Sequence, residues 1–131
     1  MRQAQLIKKQ QLDFLSETLD CQLIQNGITS VVLIDLAGNI LTDLSNREHD
    51  FDTYSLASLS AGNFGAVTAL LDQIGEPELT LLFNQGQMLN IYFRKILADH
   101  ILIAVFDKSI SLGFLRLKMD SLENLLEEAL T

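Results

Sequence analysis

The fold is decided by the stretch Leu56-Ala-Ser-Leu-Ser-Ala-Gly-Asn-Phe-Gly-Ala-Val-Thr-Ala-Leu-Leu71, which predicts a helix with two dissimilar faces. At roughly 100° per residue, one stripe is predicted to face the core: Leu56, Leu59, Asn63, Val67, Leu70 and Ile74. The opposite side is a small-residue face, comprising Ser58, Ala61, Gly62, Gly65 and Ala69. An interior helical glycine costs about 0.8–1.0 kcal/mol relative to alanine, so Gly62 and Gly65 indicate close approach by a second backbone. We interpret the small-residue face as an interface.

Around this helix, the sequence predicts the element order α-β-β-α-β-β-β-α. Helices are predicted over residues 3–25, 53–74 and 109–130, and strands over 31–34, 40–44, 78–83, 88–96 and 100–106. The terminal helices are identified by apolar residues at helical spacing: Leu12, Leu15, Leu19 and Leu23 in the first, and Leu115, Met119, Leu122, Leu126 and Ala129 in the last. Asp35-Leu-Ala-Gly38 predicts a hairpin turn, with a cap-capable Asp first and a glycine where positive φ is favoured.

The distribution of apolar residues among the strands predicts their order in the sheet. Residues 31–34 and 101–106 are uninterrupted apolar runs, which indicates two central, adjacent strands. Hairpin pairing then gives an antiparallel order of 2-1-5-4-3 within one α/β (α+β) domain over residues 1–131, with its core at about 12–126. Residues 79–83 form an edge without proline or lysine, and such an edge is a liability that a partner strand removes. The edge and the small-residue face together predict a symmetric homodimer.

Composition excludes several classes of function. Nine Lys and Arg against seventeen Asp and Glu give a net charge of −8, so we expect no nucleic-acid partner, which would require clustered basic residues. The sequence has no apolar run of membrane-spanning length and no signal-peptide core, so we expect no membrane insertion. The single cysteine, Cys21, cannot form an internal disulfide and is expected to be a small core residue. These features favour a cytoplasmic location.

No catalytic, metal or cofactor site is predicted. The chain lacks the Gly-x-x-x-x-Gly-Lys-Ser/Thr loop, so we do not expect it to bind GTP itself. His49 stands in an acidic segment that is more typical of a solvated loop than of a cation site: Asp43, Glu48, Asp50 and Asp52. His100 is expected to be structural, and with two loop-placed histidines a Ser-His-Asp triad is not expected.

Three further polar residues have alternative interpretations. Arg94 and Arg116 are candidates for an arginine that acts on a partner's nucleotide, although salt bridges on an acidic surface are the favoured interpretation. Asn63 falls within the predicted core stripe, where an unpaired buried amide would cost roughly 1–3 kcal/mol. We therefore expect Asn63 to hydrogen-bond neighbouring backbone and to fix the helix against the sheet.

The ordered series of segments resembles the roadblock domain family, named for a dynein light chain. The resemblance covers about residues 12–126 and is carried by these segments: Gly27-Ile-Thr-Ser-Val-Val-Leu-Ile-Asp-Leu-Ala-Gly38, Leu56-Ala-Ser-Leu-Ser-Ala-Gly-Asn-Phe-Gly-Ala66, Leu82-Phe-Asn-Gln-Gly86, Asn90-Ile-Tyr-Phe93, Ile103-Ala-Val-Phe-Asp107 and Ser111-Leu-Gly-Phe-Leu-Arg-Leu117. The chain looks most like the bacterial MglB-like branch, whose members partner Ras-like MglA GTPases. The resemblance implies dimers that pair edge strands and second helices, and activation that reorganises the GTPase's own catalytic groups without inserting an arginine.

The leading hypothesis is therefore a non-enzymatic homodimer that binds a Ras-like, MglA-like small GTPase and stimulates or scaffolds its cycle. The predicted dimer interface comprises Ser58, Ala61, Gly62, Gly65, Ala69, Leu79, Leu81 and Phe83. The GTPase is predicted to contact the margins of the paired helices at Tyr54, Ser58, Thr68 and Asp72. Two alternatives stay open: a PAS- or profilin-like small-molecule sensor, which needs a cavity with convergent polar groups, and a roadblock scaffold that contacts no GTPase.

Overall fold

The computed structural model describes residues 8–46 and 51–131 and has the predicted order of elements. They are α1 (Lys9–Gln22), a 3-10 turn (Ile24–Asn26), β1 (Ser30–Asp35), β2 (Ile40–Ser45), α2 (Thr53–Gln73), β3 (Leu81–Gln85), β4 (Leu89–Ile96), β5 (His100–Asp107) and α3 (Leu112–Leu130). Residues 3–7 of the predicted first helix lie outside the described residues, as do Glu48, His49 and Asp50 of the predicted acidic loop. No helix within the described ranges is both long and apolar enough to cross a bilayer.

The five strands form one antiparallel sheet in the order β2-β1-β5-β4-β3, as predicted. The central pair, β1 and β5, aligns Val31 with Ala104 and Leu33 with Leu102, and all four side chains are fully buried. Strand β3 pairs only with β4 in the described chain, so it lies at an edge. Because side chains alternate across a strand, each strand supplies residues to both faces of the sheet.

Helices cover the two faces unequally. The first face lies beneath both α1 and α3, which bury their predicted leucine stripes against it; Leu15, Leu19, Leu122 and Leu126 are all at most 2% exposed. The second face, which includes Val32 and Ile34 of β1, lies beneath α2, which is the one helix on this face within the described ranges. One helix is too narrow to cover five strands, because its diameter with side chains is about 10–12 Å and strands repeat every 4.7–4.9 Å.

The predicted core stripe of α2 is wrong in part, because only Leu56 and Val67 of its six residues pack against the core, and both are only partly buried. The buried side chains are Ala57, Ser60 and Phe64, at 0%, 4% and 3% exposure. The predicted core residues Leu59, Leu70 and Ile74 are instead 73%, 66% and 73% exposed, and Asn63 is exposed as well, so its predicted structural role is also wrong. At 100° per residue, the buried side is rotated by about 80° from the predicted one.

Close packing of the helix backbone is the physical reason for this rotation. The small side chains of Ala57 and Ser60 allow α2 to approach the sheet and the β1–β2 turn. A Cβ atom added to Gly38 in that turn would lie 3.3 Å from the Cα of Ser58. The spacing of large apolar residues therefore predicts the wrong side, because two of the three buried positions, Ala57 and Ser60, carry small side chains.

Two smaller expectations are corrected as well. Cys21 is exposed on α1 and is not a core residue. It is two residues beyond Leu19, about 200° around the helix, and therefore points away from the buried stripe. Strand β3 begins at Leu81 rather than at residue 78, and the side chain of Leu79 is only 7% exposed because it packs into the core beneath α2.

Candidate protein-interaction surface

The outward side of α2 exposes large apolar side chains. Leu59, Leu70 and Ile74, at 73%, 66% and 73% exposure, lie on one flank of the helix, which we call the apolar flank. Single exposed leucines are ordinary on a protein surface, but contiguous apolar surface marks an interaction site. The sequence pattern predicts these three residues in the core and therefore does not predict their exposure; the spacing of Ala57, Ser60 and Phe64 is the signal that indicates the buried side.

Small residues occupy the middle of the same outward side. Gly62 and Gly65 are exposed, and a Cβ atom added at either position would meet nothing within 4 Å. None of the described residues therefore requires glycine there, although each glycine weakens the helix. Ala69 and Ser58 are exposed beside them. Ala61 is partly buried against the core between α2 and the sheet and does not belong to this surface.

The apolar flank continues onto uncovered sheet. Leu56, which lies on the same side of α2 as Leu59 and Leu70, lines an apolar cavity of about 190 Å³ together with Phe51, Leu89, Ile91 and Val105. Leu89 and Ile91 belong to β4, the neighbour of the edge strand. The apolar flank therefore adjoins the part of the second sheet face that α2 leaves open.

The edge strand β3 is available to a partner through its backbone groups more than through its side chains. Leu81 and Phe83 are half-buried and pack against the core beneath α1 and α3, and the Phe83 ring stacks on Phe106 with centroids 6.2 Å apart. Of the three predicted interface residues at this edge, Leu79 is buried and is not available to a partner as a side chain. A neighbouring strand would pair with the outward N–H and C=O groups of β3.

The opposite flank of α2 is polar and collects three of the four predicted GTPase contacts. Tyr54 is 78% exposed, and Ser58 and Asp72 are exposed on the same side of the helix, so we call these three residues the polar flank. Asp52 caps the helix beside them by accepting a hydrogen bond from the Tyr54 N–H at 3.0 Å. Thr68 is half-buried, and its hydroxyl donates to the Phe64 carbonyl at 2.8 Å. Its hydroxyl is therefore engaged within its own helix.

Arg94 is held inside the subunit. Its guanidinium lies 2.7 Å from Asp120 and 3.4 Å from Glu123, and it donates to the Tyr92 hydroxyl at 3.2 Å. Burial lowers the pKa of Arg94, but the hydrogen bonds with Asp120, Tyr92 and Glu123 outweigh burial and raise the pKa above its ordinary value. The favoured salt-bridge interpretation is therefore right for Arg94. Arg116 is exposed and pairs with no acidic side chain in the described ranges.

The remaining polar groups do not assemble into a chemical site. His100 is buried at 7% exposure, with its Nδ1 3.4 Å from the Asp99 carboxylate. Within residues 8–46 and 51–131, no group of three or more His, Cys, Asp or Glu side chains could hold a metal ion. A groove of about 440 Å³ is open and is lined by charged side chains that include Arg94, Lys95 and Glu123.

Comparison with known proteins identifies the fold. No protein-family model and no curated protein matches the sequence. The gliding protein MglB of Thermus thermophilus matches with a TM-score of 0.88 at 23% identity, over 99% of this chain and 98% of that one. MglB of Myxococcus xanthus matches with a TM-score of 0.83 at 27% identity, over 95% and 92%. A Roadblock/LC7 domain from Streptomyces avermitilis matches with a TM-score of 0.71 at 15% identity, over 82% of this chain and 91% of that one. The chain has the roadblock fold, which confirms at this level the predicted resemblance to the roadblock family and its MglB-like branch.

Proposed function

We propose that this chain, which has the roadblock fold, is a homodimer that binds a Ras-like small GTPase across its paired α2 helices and stimulates or scaffolds the GTPase cycle. The observation that carries the proposal is the outward side of α2. It holds two glycines that no neighbouring residue in the described part of the chain requires, it exposes the apolar flank, and it lies beside uncovered sheet. A second copy and a GTPase together would cover this surface.

The second copy would bind through the edge strand and the apolar flank. Antiparallel pairing of two β3 strands would extend the sheet and remove both exposed edges. The two α2 helices would then meet near Gly62 and Gly65, where their backbones can approach closely. The same contact would cover Leu59 and Leu70, so one two-fold interface accounts for the edge, the glycines and the leucines.

The GTPase would bind the composite surface that the two helices form, with the polar flanks at its margins. Tyr54, Ser58 and Asp72 can form hydrogen bonds to switch segments of the partner. Since Arg94 is held by Asp120 and Glu123, it is not free to act on the partner's nucleotide. Stimulation would come from holding the GTPase's own catalytic groups in their active arrangement, which is a shift in population and needs no active site in this chain.

The experiment is binding and single-turnover GTP hydrolysis by an MglA-like GTPase, with and without this chain. Ser58→Arg places a bulky cation on the polar flank, and we expect it to abolish binding. The matched control is Gln10→Arg, at an exposed position on α1, which should leave binding unchanged. If Ser58→Arg binds as well as the wild type, the GTPase site is elsewhere.

The outcomes also separate the alternatives. Binding without faster hydrolysis would assign a scaffold role, and no binding to any Ras-like protein would favour a roadblock scaffold without GTPase contact. The sensor alternative has less support. The apolar cavity of about 190 Å³ is smaller than the 300–1,000 Å³ typical of ligand pockets and has no polar side chain in its described lining. The groove of about 440 Å³ is within that range, but it is open, and its Arg94 and Lys95 already pair with acidic side chains of the same subunit.

A further inference from the structure

An open apolar cavity lies between α2 and the sheet. Its volume is about 190 Å³, and its described lining is entirely apolar: Phe51, Leu56, Leu89, Ile91 and Val105. Leu89 is 38% exposed, so the cavity is accessible from outside. Such a cavity favours an apolar side chain over water, because its lining offers water no hydrogen-bond partner.

The cavity lies on the side of α2 that faces the edge strand. Leu56 lines it from α2, and Leu89 and Ile91 line it from β4, the neighbour of β3. The opposite flank of α2 faces the other end of the strand order, where Ser58 lies against Gly38 of the β1–β2 turn. A second copy that pairs through β3 would therefore place its own α2 beside the apolar flank and the cavity.

The apolar residues on this side of α2 are arranged symmetrically about Gly65. Leu56 and Ile74 are each nine residues from Gly65, and Leu59 and Leu70 are six and five residues from it. The exposed residues nearest to the centre have no large apolar side chain: Gly62, Asn63, Gly65 and Ala66. In a two-fold contact, residue i of one copy meets residue j of the other, and j meets i. This side of α2 is therefore complementary to a reversed copy of itself, which identifies a second copy of this chain as the occupant of the cavity.

We infer that Ile74 of each protomer packs into the apolar cavity of the other. In an antiparallel pair of α2 helices centred at Gly65, Ile74 of one copy lies at the level of Leu56 of the second copy, which lines the cavity. Packed helices are about 8–10 Å apart, so side chains on their facing flanks are in contact. Ile74 is 73% exposed at the end of α2 and is available for this contact. The inference rests on the proposed homodimer and names the side chain that each copy supplies to the other.

The GTPase fits the cavity less well, because its proposed contacts lie on the other side of α2. Tyr54 precedes Leu56 by two residues, so the two side chains point about 160° apart around the helix. A GTPase on the polar flank would therefore leave the cavity to the second copy. A homodimer has two cavities and two Ile74 side chains, so one symmetric contact fills both cavities.

The first test is a disulfide that can form only between copies. Leu56→Cys and Ile74→Cys are introduced together in a Cys21→Ser background, because Cys21 is exposed and would otherwise react. Within one chain the two positions are about 27 Å apart along α2, whereas a disulfide needs Cα atoms about 4.4–6.8 Å apart. We expect mild oxidation to give a covalent dimer on a non-reducing gel. The matched control combines Ile74→Cys with Leu36→Cys, at an exposed position in the β1–β2 turn, and it should run as a monomer.

The second test is the affinity of the dimer, measured by sedimentation velocity of the full chain. Ile74→Asp should raise the dissociation constant of the dimer by roughly 100-fold, because it removes two apolar contacts per dimer and places a charge at each cavity. Leu117→Asp is the matched control at a leucine of α3 that is 70% exposed, and it should dimerise like the wild type. Both positions are exposed, so neither change should alter the circular dichroism spectrum.

The outcomes separate this inference from the proposed function. A homodimer that forms no disulfide between positions 56 and 74, or that dimerises equally well with Ile74→Asp, would overturn the inference. So would an Ile74→Asp variant that stays a dimer but loses the GTPase, since the cavity would then belong to that partner. Failure of the proposed homodimer is distinguishable, because the wild type itself would then be a monomer.

Discussion

Gly38 touches the backbone of Ser58: a Cβ atom placed on the glycine would lie 3.3 Å from the serine Cα and 3.5 Å from the carbonyl oxygen of Ala57. The β1–β2 turn thereby contacts the first turns of α2. With Ala57 and Ser60 packed under the helix, this contact sets the rotation of α2 about its axis. The rotation in turn decides that Leu59 and Leu70 point outward.

Gly38→Ala should destabilise the fold by about 1–3 kcal/mol, because alanine is strained at φ +90° and its methyl group would press on α2. Gly75→Ala is the matched control, since Gly75 has φ +81° and open space around it. Gly75→Ala should lower the free energy of unfolding by about 1 kcal/mol, the cost of backbone strain alone. Urea unfolding measures both. Equal losses would show that the contact with α2 contributes nothing.

The rotation of α2 predicts opposite outcomes for two of its large apolar residues. Phe64→Ala should lower the free energy of unfolding by about 3–5 kcal/mol, because Phe64 is only 3% exposed. Leu70→Ala should change it by no more than about 0.5 kcal/mol, since Leu70 is 66% exposed. Both are measured by urea unfolding in a Gly65→Leu background, to remove the expected contribution of a second copy. A large loss for Leu70→Ala would indicate that α2 is rotated towards the side that the sequence suggested.

Arg94→Met should cost about 1–2 kcal/mol, because it leaves Asp120, Glu123 and the Tyr92 hydroxyl without their cationic partner. Arg116→Met, at an exposed position, should stay within about 0.5 kcal/mol. Thermal unfolding monitored by circular dichroism distinguishes the two. The same variants should leave any stimulation of GTP hydrolysis intact, and a selective loss with Arg116→Met would instead identify an inserted arginine.

Asp35 gives the β1–β2 turn a dependence on pH. Burial raises the pKa of Asp35, but hydrogen bonds from the Asn39 side chain and backbone and from the Ala37 backbone outweigh burial, so the pKa is lowered from 3.8. Because the pKa of Asp35 is lower in the folded state than in the unfolded state, the ionised carboxylate stabilises the fold at pH values above the unfolded-state pKa. This stabilisation is lost as the pH falls through the folded-state pKa. Asp35→Asn should therefore cost about 1 kcal/mol at neutral pH and less at pH well below 3.8. A loss that does not change with pH would contradict this role.

Much of the fold can be predicted from the sequence because its signals are local and periodic. The uninterrupted apolar runs of β1 and β5 indicate the centre of the sheet, and Asp35 and Gly38 mark the turn between β1 and β2. The structure confirms that Asp35 Oδ1 accepts hydrogen bonds from the backbone N–H groups of Ala37 at 3.0 Å and Asn39 at 2.9 Å. These features need no knowledge of how distant parts of the chain pack.

The rotation of α2 could not be predicted in the same way, because it depends on contacts between elements. Leu59 and Leu70 match a core pattern as well as Phe64 does, and only the approach of the helix to Gly38 and the sheet favours Ala57 and Ser60 as the buried positions. The prediction that Gly62 and Gly65 lie on an interface does not depend on which side of α2 is buried. Both glycines lie outward for either rotation.

The most direct test of the central claim, that the outward side of α2 is a contact surface between copies, is the mass of Gly65→Leu beside that of the wild type at low micromolar concentration. The Cβ of a leucine at this position would meet nothing within 4 Å among residues 8–46 and 51–131 of its own subunit, so a change of mass would indicate a contact with a partner. We predict a wild-type dimer, twice the chain mass of 14.6 kDa, and a Gly65→Leu monomer with an unchanged circular dichroism spectrum. A wild type that stays at 14.6 kDa, or a Gly65→Leu variant that remains a dimer, would contradict the claim.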